Sequence, residues 1–88
     1  MSRKARVWFV YILKCADDCL YTGITTDIRR RLAEHNAGRG SKALRGKRPV
    51  RVVYRESHPS RALALKREAQ IKKWPRTKKL AILDGHIL

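Results

Sequence analysis

Two β-dense segments set only a few polar residues apart constrain this chain more than any other feature. Val7-Trp8-Phe9-Val10-Tyr11-Ile12-Leu13 is crowded with β-branched and aromatic side chains, and Cys19-Leu20-Tyr21-Thr22-Gly23-Ile24 follows closely. Strand-forming runs this near to each other can pair only as a β-hairpin turning at Ala16-Asp17-Asp18. Side chains alternate faces along a strand, so a three-residue loop, being odd, puts Tyr11 and Tyr21 on the same face. Aromatic residues are common in strands, so by themselves two such tyrosines are read as core or edge packing.

The remaining elements follow from local signals. Asp27 is placed to cap a helix over about Ile28 to Asn36, with Ile28 and Leu32 four apart and Gly38 just beyond its end. From Ala37 to Pro49 the chain holds Gly38, Gly40 and Gly46 with Arg39, Lys42, Arg45, Lys47 and Arg48, which predicts a mobile basic loop. Arg51-Val52-Val53-Tyr54-Arg55-Glu56 predicts a third strand. Pro59 and Ser60 open a helix over about Arg61 to Lys73, and after Pro75 a last helix should cover Arg76 to Leu83 and stop before Gly85. The order β-β-α-β-α-α describes an α+β class: a three-stranded, largely antiparallel sheet with helices packed on it. At 88 residues there is room for one domain, spanning 1–88.

Composition narrows the partners. A formal net charge of +15 draws polyanions by counterion release, so nucleic acid is the expected partner. A ribosome-associated structural protein shares this composition. No apolar run approaches the roughly 18 to 20 residues needed to cross a bilayer, which excludes a membrane span. Arg3, Lys4 and Arg6 ahead of an apolar stretch imitate a secretory leader, but Lys14 ends the stretch early and no small-residue cleavage site follows, so a cytoplasmic location is expected. Cys15 and Cys19 flank the turn without a second Cys or His pair to complete a zinc tetrahedron, and are read as reduced strand-end residues.

Three side chains stand out on helical wheels. At about 100° per residue, Ala64, Leu65, Ala69 and Ile71 share one arc of the second helix, with Lys66, Arg67, Gln70 and Lys73 opposite. Glu68 falls inside the apolar arc, where a carboxylate loses hydration unless it is paired or bound to a metal. Lys72, one turn on, offers the plain alternative of an internal ion pair. On the first helix Arg31 and His35 lie four apart beside the Ile28-Leu32 stripe, so both border the sheet, while Arg29 and Arg30 point to solvent or phosphate. For His35 a hydrogen-bonded place at the core margin is the bland reading. Trp8 and Trp74 read as core.

Val10-Tyr11-Ile12 and Tyr21-Thr22-Gly23 resemble the two halves of the GIY-YIG nuclease signature, with Val10 in place of glycine and Thr22 in place of isoleucine. The resemblance continues through Thr26-Asp27-Ile28-Arg29-Arg30-Arg31-Leu32, His35-Asn36, Pro49, and Ala64-Leu65-Lys66-Arg67-Glu68 with Ile71-Lys72. It spans about residues 7 to 83 and is similar to the small stand-alone bacterial branch typified by YhbQ. This resemblance implies an endonuclease in which Tyr11, Tyr21, Arg31, His35 and Glu68 are catalytic and Glu68 binds the metal.

Phosphodiester hydrolysis needs an activated water, neutralised phosphate charge and a stabilised leaving oxygen. With only seven acidic residues, Asp17 and Asp18 at a turn and Asp84 near the C-terminus, a carboxylate-rich two-metal centre is poorly supplied. One Mg²⁺ (or Mn²⁺) held by Glu68, waters and the substrate phosphate fits the chain. Arg31 would then steady the phosphate, Tyr11 accept the proton of the attacking water, and Tyr21 orient water or phosphate. His35 would relay a proton or hold Tyr11. Binding, with DNA ahead of RNA, is expected on Arg29, Arg30, Arg39, Lys42, Arg45, Lys47, Arg48 and Lys72, aided by Arg61, Lys66, Lys73, Arg76, Lys78 and Lys79. A non-enzymatic nucleic-acid-binding module keeping this fold is the rival, and a subunit whose protein partner, or second copy, supplies recognition is a third reading.

Overall fold

The computed structural model describes residues 7–87, with side chains through residue 83; Arg3, Lys4, Arg6 and the Asp84 carboxylate lie outside it. Strands β1 (Trp8–Lys14) and β2 (Leu20–Thr25) form the hairpin, and Cys15 N–H donates to the Cys19 carbonyl at 2.9 Å. The intervening loop is the three residues Ala16 to Asp18. Asp18 takes φ 68°, a left-handed conformation that Asp tolerates better than most side chains. The register Tyr11↔Gly23 and Leu13↔Tyr21 then places both tyrosines on one face.

Helix α1 (Ile28–Asn36) begins where expected: the Asp27 carboxylate accepts from Arg30 N–H at 3.0 Å, and Gly38 follows at φ 83°. Strand β3 (Arg51–His58) pairs antiparallel with β1, giving sheet order β2-β1-β3, and runs two residues past the predicted end. Helix α2 (Arg61–Lys72) starts on a Ser60 cap that accepts from Leu63 N–H. Helix α3 (Arg76–Ile87) does not stop before Gly85. A single glycine costs a helix only about 1 kcal/mol relative to alanine, and no proline follows to end it.

The sheet is covered on both faces. On one, Tyr11, Leu13 and Cys15 pack with Ile28 and Leu32 of α1 and with Leu44 and Val50. On the other, Val10 and Ile12 meet Ala64 and Ile71 of α2, Ile82 and Leu83 of α3, and half-buried Trp8 and Trp74. Both tryptophans therefore are core-facing, as expected, with Arg61 over Trp8 and Arg67 and Lys78 over Trp74.

The basic segment after α1 is more ordered than its composition suggests. It contains a turn of 3-10 helix, Lys42–Leu44, and buries Leu44 to 2% exposure, a burial that stabilises by roughly 1.5–3 kcal/mol. Asn36 anchors the segment's far end: its amide donates to the Val50 carbonyl at 3.1 Å and accepts from Val50 N–H at 2.8 Å. Leu44 and this clamp together hold the loop on the sheet.

The buried face of α2 differs from the expected arc. Ala69 is exposed and Arg67 half-buried, because the buried line runs through Ala64, Glu68 and Ile71 and Arg67 flanks it. Arg67 is held there by Glu56 of β3, whose carboxylate also takes hydrogen bonds from Tyr54 (2.7 Å) and shares His58 (2.7 Å).

Candidate active site

The hairpin and α1 bring three rings together. Tyr11 and Tyr21 have centroids 6.4 Å apart, Tyr11 and His35 6.3 Å, and Tyr21 meets His35 edge-on at 5.6 Å. Tyr11 and His35 are buried, at 2% and 1% exposure, and Tyr21 is half-buried. Tyr11 Oη lies 3.2 Å from His35 Nε2, while His35 Nδ1 accepts from Ser41 N–H at 3.2 Å. An imidazole satisfied at both nitrogens can sit dry in a core, which the bland reading of His35 required; it also touches Tyr11 directly, which the functional reading required.

Tyr11 crosses over the hairpin partner that lacks a side chain. A Cβ on Gly23 would stand 2.6 Å from Tyr11 Oη. A glycine inside a strand marks a close approach, and that rule was available from sequence.

The charges of Arg31 on α1 and Glu68 on α2 both act on Tyr11. Arg31 Nη1 donates to Glu34 at 2.9 Å, and its positive charge favours the ionised form of Tyr11. Glu34, half-buried and not singled out from sequence, raises the Arg31 pKa and steers the guanidinium. Glu68 has a side chain only 17% exposed and pairs with Lys72 at 3.3 Å, so both readings of this carboxylate hold: it is ion-paired, and its charge reaches Tyr11. Lys72 thus has a carboxylate to satisfy before any phosphate.

These neighbours set the acidity of the site. Burial first, then the nearby Tyr21, push the Tyr11 hydroxyl up to about 12, with Arg31 pulling it down and Glu68 pushing it up. Burial and the Arg31 charge hold His35 below its usual range, which keeps the imidazole neutral. In the free protein Tyr11 is therefore a protonated phenol at neutral pH, not a ready base.

The expected binding residues divide into two groups. Arg29, Arg39, Lys42 and Arg45 are exposed, as is Arg30, which lies 3.9 Å from Glu34. Lys47 instead pairs with Asp17 at 3.2 Å and donates to Cys19 Sγ, and its carbonyl accepts from Ala16 N–H; it ties the loop to the hairpin turn. Arg48 donates to the Asn36 carbonyl at 3.1 Å, and Arg76 to the Asp18 carbonyl at 2.9 Å. Cys15 and Cys19 are free thiols, the first buried and the second exposed. No helix among the described residues is long and apolar enough to cross a membrane.

Paired strand tyrosines beneath an arginine-bearing helix, with a carboxylate on a second helix, define a small α+β domain with a candidate site at its hairpin. The chain belongs to the GIY-YIG family: the model of the GIY-YIG catalytic domain matches residues 7–81. Within it the chain is similar to UPF0213 proteins, being 52% identical over 76 residues to one from Haloquadratum walsbyi (86% of this chain, 85% of that one). It is 46% identical to one from Staphylococcus haemolyticus (86% and 93%). Solution structures of the Bacillus halodurans UPF0213 protein (40% identity, TM-score 0.58, covering 89% and 83%) and of an E. faecalis protein (38%, 0.65, 100% and 94%) have a similar fold.

Proposed function

We propose that this protein is a divalent-metal-dependent endonuclease that hydrolyses phosphodiester bonds in nucleic acid, DNA ahead of RNA, and serves DNA processing or repair in the cytoplasm. The observation that carries this reading is the convergence on one hydroxyl: His35, Arg31 and the charge of Glu68 all act on Tyr11.

The residues fit a cation. Glu68 is a carboxylate whose charge acts on Tyr11, and its partner Lys72 is 55% exposed, so exchanging that ion pair for a cation costs little. Among the described residues no cluster of three potential ligands exists, so water and phosphate would complete the coordination, as is usual for Mg²⁺. When bound, the cation supplies positive charge at the phosphate and offsets the upward push of Glu68 on Tyr11.

The chain's own groups do the rest. Arg31, held on one side by Glu34, offers its remaining N–H donors to a phosphate oxygen. Tyr11 takes the proton of the attacking water. With its pKa near 12 only about one molecule in 10⁵ carries the phenolate at pH 7, so the Arg31 charge that favours the phenolate is part of the mechanism. Tyr21, at the edge of the His35 ring, orients the water. Exposed Arg29, Arg30, Arg39, Lys42 and Arg45 hold the polyanion without reading its sequence.

The test is cleavage of labelled single-stranded, duplex and branched DNA and RNA with Mg²⁺, Mn²⁺ or EDTA. Cutting that needs the metal, disappears in Glu68→Ala and leaves nucleic-acid binding largely intact is the expected result; full activity in that variant removes Glu68 from the metal role. A second reading, a binding module that keeps the fold, is favoured by the closed Glu68–Lys72 pair, and tight binding without cutting on every substrate would support it. Specificity supplied by a protein partner or a second copy would appear as cleavage only in the assembled form.

A further inference from the structure

Gly40 and Ser41 carry no chemistry of their own, yet both touch the buried histidine. His35 is 1% exposed, so its two ring nitrogens depend on protein partners. Nδ1 faces the backbone N–H of Ser41 at 3.2 Å, and Nε2 faces Tyr11 Oη at 3.2 Å. An amide N–H can only donate, so Nδ1 must be bare. A neutral imidazole then carries its proton on Nε2 and donates it to Tyr11. The other tautomer would set two N–H groups against each other and leave a buried donor unsatisfied.

We infer that the Gly40–Ser41 turn is a positioning element for the reaction: the Ser41 amide fixes the Nε2–H tautomer of His35, and so decides that Tyr11 Oη accepts from His35 and turns its own proton away from it. The inference rests on the nuclease reading for the role of Tyr11, but not for the tautomer. Gly40 makes the approach possible, because a Cβ there would overlap the imidazole at Nδ1. The turn is pinned on both sides. Gly38 N–H donates to the His35 carbonyl and Arg39 N–H to the Glu34 carbonyl, while the Ser41 hydroxyl accepts from Ala43 N–H one residue before the buried Leu44. Exposed Arg39, Lys42 and Arg45 belong to this same segment, so a phosphate they hold is registered against the imidazole through a few backbone bonds.

Nitrogen NMR of the full chain, without nucleic acid, reads the tautomer directly. Ser41 has φ −62° and ψ 136°, which proline accepts, so Ser41→Pro deletes the N–H at a compatible backbone position, whereas Ser41→Ala keeps it. The expected result is a protonated Nε2 and bare Nδ1 in wild type and in Ser41→Ala, and a mixed or Nδ1-protonated signal in Ser41→Pro. Cleavage by Ser41→Pro should fall by about tenfold or more with little change in binding, the pattern of a misplaced catalytic group. Should the proline variant not fold, Gly40→Ala pushes on the same nitrogen and should likewise perturb the Nδ1 signal. An Nδ1-protonated wild type, or signals unchanged in both variants, would overturn the inference. A tautomer change in a protein that cuts no substrate would defeat the nuclease reading and leave the tautomer assignment intact.

Discussion

Tyr11 and Gly23 are partners across the hairpin, and the tyrosine hydroxyl occupies the place where a side chain on residue 23 would begin. This crossing requires glycine at position 23. Gly23→Ala puts a Cβ 2.6 Å from Oη and 3.2 Å from Tyr21 Cε2, so both tyrosines must shift. Single-turnover cleavage should slow on the order of 10²-fold, the usual cost of misplacing a reacting group by about 1 Å, while nucleic-acid affinity stays nearly unchanged. An unaltered rate would mean that the hydroxyl does not work from this position.

The acidity of Tyr11 predicts a pH–rate profile. With the pKa pushed up to about 12, the phenolate fraction grows about tenfold per pH unit well below that value. The cleavage rate at saturating metal should therefore climb log-linearly between about pH 7 and 9, and Tyr11→Phe should remove both the rate and the slope. A flat profile would assign Tyr11 to hydrogen bonding in its neutral form.

His35 predicts a loss of stability in mild acid. Its folded pKa lies below the ordinary 6.5, so between the two values the unfolded chain binds the extra proton and the folded one does not. Stability is full above about pH 6.5 and falls as pH drops through the folded pKa. The carboxylates with lowered values, Asp17, Glu34 and Glu56, lose their contribution only below 4.5, which separates the two windows. Thermal melts between about pH 7.5 and 5 should show a decline that His35→Gln flattens; an equal decline in both would place the titration elsewhere.

The basic residues of the loop should separate into two phenotypes. Lys42→Ala and Arg45→Ala, at exposed positions, should leave the melting temperature alone and lower the slope of log K against log salt by about 0.9 for each phosphate that is no longer neutralised. Lys47→Ala and Arg48→Ala, which remove bonds to Asp17, Cys19 and Asn36, should chiefly lower the melting temperature. The reverse assignment would show that the loop lies differently on bound nucleic acid.

Asn36→Ala removes both hydrogen bonds to the Val50 backbone and should cost about 1–3 kcal/mol, seen as a drop of roughly 4–8 °C per kcal/mol in a chain of this size. A melting temperature within about a degree of wild type would mean that water replaces the clamp without penalty.

What could be read in advance was whatever depends on neighbours in the chain. The shared face of Tyr11 and Tyr21 follows from strand periodicity and an odd loop, and the bounds of α1 follow from Asp27 and Gly38, each acting within a turn of the helix end. Arg31, His35 and Glu68 were visible because a polar side chain beside an apolar stripe is conspicuous on a wheel.

The rest depended on residues that only packing brings together. Arg67 leaves the solvated side of its helix because Glu56, eleven residues earlier, waits on β3. Lys47 and Arg48, indistinguishable by composition from Lys42 and Arg45, became structural because burying Leu44 carried them to the hairpin turn and to the end of α1. By itself the sequence determined which side chains could perform the chemistry and on which local surfaces they stand. Tertiary structure decided their protonation and partners, since burial of Tyr11 and the Ser41 amide at His35 are properties of a site assembled from distant segments, where desolvation and hydrogen bonding act together.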